Sequence, residues 1–295
     1  MKFRSWQWSN RNVQFARTTA LLQRSLIVSL ALTLLAASSN AAPAVYVVTA
    51  SQQFGTVDLA TGKFHPIGNP GPEPMSNLVW GPDGSLLTLF TLSGSLAKIN
   101  PATGAMAVIG PTGLGLDAFD LAGVGGKLYL TDFQNNIYSV DPETGAAMLI
   151  GATGMPPDPT IPFTTNKDGT FNLCDESLYG VAGKLYATFD SYAFYPKPGP
   201  NFLAITTKVN PKLYQIDPAT GVATAIGASD LQLGASVAAG TKFYAFRLAL
   251  AGFSDGFPLA YSELVALDLK SGRVSFVRTI DPAAGPIFGA APTQR

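Results

Sequence analysis

The side chains in this sequence that are able to do chemistry are mostly carboxylates. Asp117, Asp120, Asp132, Asp175, Glu176 and Asp190 stand with Tyr192 and Arg247 in the middle and later chain, in no spacing that matches a catalytic motif. Carboxylates that converge can coordinate Ca²⁺ through oxygen, or set a general acid and a general base across a glycosidic bond. The same residues at loop mouths can instead cap backbone amides or stay solvated, since Asp is a common turn residue. Cys174 is the only cysteine and His65 the only histidine. Zinc sites of His and Cys, haem attachment through paired Cys, and an internal disulfide are therefore impossible. A Ser-His-acid triad would have to use His65, which the pattern below puts on an outer strand.

The elements that must position these groups are set by a phrase that recurs five times. It reads GTVDLATG at 55–62, LAKINPATG at 96–104, IYSVDPETG at 137–145, LYQIDPATG at 213–221 and LVALDLKSG at 264–272. Alternating apolar residues make a strand, Asp or Asn accepts from amides two residues on, Pro fixes φ, and Gly supplies a left-handed turn position. Five residues past each closing glycine stands a branched aliphatic: Ile67, Ile109, Ile150, Ile226 and Val277. A Gly follows the first four, and Arg278 follows the fifth. Upstream of the later copies lies a turn and a short apolar strand, such as Gly126-Lys127-Leu128-Tyr129 and Gly183-Lys184-Leu185-Tyr186, itself preceded by a strand of small residues. Each unit thus holds four strands.

The closing glycines are 42, 41, 76 and 51 residues apart. Four strands per period of about 40 to 50 residues is the pattern of propeller blades. The expected fold is all-β, a five-bladed β-propeller, with six blades as the alternative because the 76-residue interval has room for a degenerate unit. The first copy lacks an innermost strand, and 285–292 (GPIFGAAP) resembles the missing one. The two chain ends are therefore expected to complete one blade together, leaving no open sheet edge. Surplus length falls at 155–172, 190–211 and 249–261, read as loop insertions that project on one face beside the carboxylates.

The chain carries 19 basic and 19 acidic residues, but Lys2, Arg4, Arg11, Arg17 and Arg24 precede the first acid, Asp58. The remainder is mildly acidic, which disfavours nucleic acid and anionic membrane as partners. The basic stretch, the apolar run 26–37 and Ser39-Asn40-Ala41 form the pattern of a secretory signal cleaved after Ala41. Twelve residues rise only about 18 Å as a helix, short of a bilayer core of about 30 Å. The expectation is a signal peptide at 1–41 and one domain at 42–295, periplasmic or secreted, monomeric and without stable membrane insertion.

The strings at 213–227 (LYQIDPATGVATAIG) and 137–151 (IYSVDPETGAAMLIG) resemble repeats of secreted bacterial propellers of the quinoprotein-like and YVTN-like groups. That resemblance implies architecture and leaves activity open, since such blades host dehydrogenases, lyases, hydrolases and non-catalytic binding proteins. The Trp-docking repeats of quinone enzymes are absent, because Trp80 is the only tryptophan beyond residue 41. Two functions follow: a non-catalytic binding protein for a protein or carbohydrate ligand, or a metal-assisted hydrolase or lyase acting on a carbohydrate or lactone. In either, the candidate site is Asp117, Asp120, Asp132, Asp175, Glu176, Asp190, Tyr192 and Arg247. No cofactor is assigned.

Overall fold

The computed structural model describes residues 43–68, 71, 73–155, 171–196, 203–228, 233–254 and 257–293, with side chains described except at 171–176, 189–196, 203–211, 228, 233, 250–254 and 257–259. The signal expected at 1–41 lies outside the described residues, as does most of the surplus at 155–172.

Each copy of the repeated phrase makes the turn its residues dictate. The side chains of Asp58, Asn100, Asp141, Asp217 and Asp268 accept from the amide two residues on at 2.7–2.9 Å. Their carbonyls accept from the amides of Gly62, Gly104, Gly145, Gly221 and Gly272, which sit at φ between 71° and 82°. These are Asx turns closed by a left-handed glycine.

Each such turn joins the two outer strands of a four-stranded antiparallel sheet. Blade 1 holds β1 (Ala44–Thr49), β2 (Phe54–Asp58) and β3 (Phe64–Pro66). Blade 2 holds β4 (Met75–Trp80), β5 (Leu86–Phe90), β6 (Ser95–Ile99) and β7 (Met106–Pro111). Blade 3 holds β8 (Ala118–Val124), β9 (Lys127–Asp132), β10 (Asn136–Val140) and β11 (Ala147–Ala152). Blade 4 is β12 (Phe171–Val181), β13 (Lys184–Pro196), β14 (Leu203–Ile216) and β15 (Ala223–Ala228). Blade 5 is β16 (Leu233–Ala239), β17 (Lys242–Ser254), β18 (Phe257–Leu267) and β19 (Val274–Thr279). The last strand, β20 (Ile287–Pro292), pairs antiparallel with β1 from Val45↔Pro292 to Thr49↔Ile287 and becomes the innermost strand of blade 1.

The five innermost strands β20, β4, β8, β12 and β16 neighbour one another in a closed ring, and the fold is a five-bladed β-propeller. Its core is divided among the five seams between blades. Val45, Phe246 and Ile287 fill one, Val48, Phe54 and Phe90 the next, and Leu87, Leu96 and Leu130 a third. Tyr129, Leu178 and Ile216 fill the fourth, and Tyr179, Phe243 and Val265 the fifth. Alternation along each strand sends successive side chains to the seams on either side of its blade.

Glycine permits the seams to close. A Cβ on Gly180 of β12 would collide with the carbonyl oxygen of Gly123 on β8, so these inner strands touch backbone to backbone. At the periphery, Gly68, Gly110, Gly151 and Gly227, the residues after the branched aliphatics, lie against the turns of the next blade at Thr103, Thr144, Thr220 and Ser271. The seam between blades 5 and 1 is built differently: Arg278 and Thr279 lie against Gly62, whose carbonyl accepts from the Asp281 amide at 2.9 Å.

Two of the expected loop insertions are strands. Beyond Phe189↔Lys212 the β13–β14 ladder continues to Pro196↔Leu203, and beyond Arg247↔Glu263 the β17–β18 ladder continues to Ser254↔Phe257. Apolar and aromatic residues at 192–195 and 248–253 favour continued pairing over an irregular loop. Among the described residues no helix is long and apolar enough to cross a membrane.

Two changes test the closure. Gly180→Val should lower the unfolding free energy by about 1–3 kcal/mol in urea titration, because backbone on both sides must shift. Removing 286–295 should abolish the cooperative melt followed by circular dichroism, since it strips blade 1 of its inner strand and opens two seams at once.

Candidate functional site

In every blade the innermost strand starts, and the second strand turns into the third, at the same end of the sheet. Asp117 and Asp120 lie at this end. Asp117 closes a short 3₁₀ turn (Gly115–Asp117) and is exposed. Asp120, on β8, is 5% exposed and fully engaged. One carboxylate oxygen accepts from the Leu121 amide at 2.9 Å and the Ser76 hydroxyl at 3.4 Å, and the other from the Leu178 amide at 2.6 Å. Asp120 thereby ties blade 3 to β4 and to β12.

Asn77 completes this knot. It sits at φ 49° where β4 breaks register, a backbone state that Asn tolerates better than other non-glycine residues. Its side-chain oxygen accepts from the Leu78 amide at 3.0 Å and its nitrogen donates to the Leu178 carbonyl at 2.8 Å. Asn77 therefore spans from blade 2 to blade 4 past blade 3, and with Asp120 it plugs the axis at mid-height. Thr88 donates to the Asn77 carbonyl at 2.8 Å, which leaves that part of the distorted strand satisfied.

Burial is the main influence on the Asp120 carboxyl and pushes it up to about 7, against the hydrogen bonds from Leu178, Leu121 and Ser76 that favour its charge. The exposed turn acids Asp141 and Asp217 behave oppositely, held below the usual range chiefly by amide donors from Glu143 and Ala219.

Asp132 ends β9 and is 3% exposed. It accepts from the amides of Gln134 and Asn136, the Asn136 side chain and the Tyr138 hydroxyl, all at 2.8–2.9 Å. Burial first, then Asp132 itself, pushes the Tyr138 phenol up to about 12. Arg247 is not a free cation: its Nε donates to Glu263 at 2.9 Å across the β17–β18 ladder, and a second guanidinium nitrogen contacts the same oxygen. Asp190 and Arg247 stand within strands and not at loop mouths, because β13 and β17 run on past them.

Asp175 and Asp190 are direct partners across the β12–β13 ladder, with Glu176 opposite Phe189 and Leu173 opposite Tyr192. The side chains of Asp175, Glu176, Asp190 and Tyr192 lie outside the described residues, as does that of Cys174. His65 is exposed on β3, an outer strand. Among the described residues no group of three His, Cys, Asp or Glu could hold a metal ion.

The same end also carries apolar side chains absent from the candidate set. Leu92, Leu116 and Phe288 are exposed, and Phe119 and Phe133 pair with ring centroids 4.7 Å apart. Phe119 and Phe288 occupy the irregular positions of β8 and β20, where a bulge re-aims a side chain. Alternation of residues gave no sign of these bulges.

The chain is thus of the class of five-bladed β-propellers. No protein-family model matches it, and a comparison with curated proteins returns no match. It is similar to a chain in the crystal structure of a nidogen/laminin complex, at 11% identity and TM-score 0.48 over 84% of this chain and 97% of that one. It is also similar to a structural genomics protein of unknown function from Bacteroides thetaiotaomicron VPI-5482, at 14% identity and TM-score 0.46 over 80% of this chain and 55% of that one.

Asp120 sets a pH dependence of stability. Its folded value lies above the 3.8 of a free carboxyl, so the native state holds a proton that the unfolded chain releases. Stability should therefore fall as pH rises from about 4 to about 7, by on the order of a few kcal/mol, and level off above. Urea titrations across this window should show that slope in the native chain, and a flatter one in Asp120→Asn.

Proposed function

We propose that the chain is an exported, non-catalytic binding propeller that engages a protein or carbohydrate partner through the end of the blades bearing the β13–β14 and β17–β18 hairpins. One observation carries the reading. Two adjacent blades lengthen the same hairpin, in the same direction, while blades 1 to 3 keep short turns there. A ring needs none of this length for closure, so the extra pairs serve what lies beyond the blades. The exposed Leu92, Leu116 and Phe288 at that end add apolar area of the kind that contacts a partner.

The hydrolase or lyase reading has less support. Asp120 and Asp132 spend their oxygens on protein donors, and Arg247 is paired with Glu263. Export, to the periplasm or beyond, rests on the pattern of residues 1–41.

The test shortens one arm. Replacing 190–211 by Asn-Gly joins the paired residues Phe189 and Lys212 through a two-residue hairpin. The variant should keep the native melting temperature within a few degrees, because the seams are untouched. A photo-crosslinking residue at Leu116 should give a discrete adduct with exported proteins or immobilised glycans in the native chain, and lose it in the shortened one. Equal labelling from Met148, on an outer strand, would overturn the proposal, as would turnover of a glycan or lactone by the purified chain.

A further inference from the structure

The axis is plugged by Asn77 and Asp120, but below the plug it opens into a cavity of about 210 Å³. All five innermost strands line it with residues from their later halves, so it faces away from the long hairpins. Trp80, Tyr179 and Phe243 supply aromatic wall, Ala238 and Ala291 narrow it, and Ser236 supplies a hydroxyl. Ser236 is 7% exposed and its oxygen has no hydrogen-bond partner. A buried hydroxyl left without a partner is costly, and native interiors rarely keep one unless water or a ligand completes it.

We propose that this cavity binds a compact, uncharged, single-ring molecule carrying one or two hydroxyl or carbonyl groups, one of which pairs with Ser236. Size comes first: an apolar cavity of about 150 Å³ accepts benzene, so this one accommodates a six-membered ring with a substituent. Charge is disfavoured by the wall, which holds no ionisable side chain except the Tyr179 phenol to pair an ion that gives up water. A sugar is disfavoured by arithmetic of donors and acceptors. The Asn77 amide is committed to Leu78 and Leu178, and the Trp80 indole donates to the Pro292 carbonyl at 2.9 Å. Among the lining side chains only the Ser236 and Tyr179 hydroxyls remain open, enough for two polar atoms and too little for five hydroxyls.

The full chain can be titrated with cyclohexanol while the Trp80 indole N–H resonance is followed by NMR. A saturable shift is expected. Ser236→Ala should weaken binding about tenfold, the worth of one good hydrogen bond, while leaving the spectrum native because the lost hydroxyl had no partner. Ala238→Leu, which fills the cavity, should abolish the shift. Glucose and cyclohexanecarboxylate at equal concentration should leave Trp80 unmoved. The proposal is overturned if cyclohexanol gives no saturable shift, in which case water alone completes Ser236. It is equally overturned if Ser236→Ala binds as tightly as the native chain, or if glucose or the carboxylate binds better than cyclohexanol.

Discussion

Closure of the ring governs this structure. An open array of four-stranded sheets would leave blade 1 without its innermost strand and two seams half-covered, and the ladder between β1 and β20 removes both faults. It joins residues about 240 positions apart, so little of the stability is local. The Trp80 indole donates to the Pro292 carbonyl and the Thr293 hydroxyl to the Ala44 carbonyl, which fixes the closing strand at its far end. Each seam then packs its own cluster, and every cluster depends on both of its blades being in place.

A ring this small forces its inner strands together, and the axis reflects that crowding. Gly180 and Gly123 meet without side chains between them, and Ala122, Ala238 and Ala291 keep neighbouring positions small. Where polar residues enter, they are made to hold the ring. Asp120 accepts from donors on blades 2, 3 and 4, and Asn77 reaches past a whole blade. A carboxylate so placed retains its proton to near-neutral pH because desolvation outweighs its hydrogen bonds. Its role in the described structure is cohesion.

The glycines after the branched aliphatics illustrate a second layer of meaning in the repeat. Within one unit, Gly68, Gly110, Gly151 and Gly227 look like the end of an outer strand. In the ring each is the point where the following blade's turn is seated. The fifth copy departs from the pattern at Arg278 because its neighbour is blade 1, and that seam is closed instead by the 281–285 segment and Gly62.

Turn positions, strand order, blade number and the sharing of blade 1 between the chain ends were all legible in the residues, because each rests on local chemistry repeated in register: an Asx acceptor, a proline-fixed φ, a left-handed glycine, a two-residue alternation. The candidate site was legible only as a neighbourhood. Asp120 and Asp132 read either as converging site carboxylates or as solvated groups and caps of backbone amides; their partners Ser76, Leu178 and Tyr138 come from other strands and, for two of the three, from other blades. The segments 190–211 and 249–261 read as loops because their length breaks the period, although their alternation lets the ladders continue. Asn77, Ser236 and the cavity they share arise only when five inner strands converge. Sequence determines what each residue can offer its near neighbours. Burial and hydrogen-bond partners across an axis depend on residues a hundred positions away, and only the closed ring decided them.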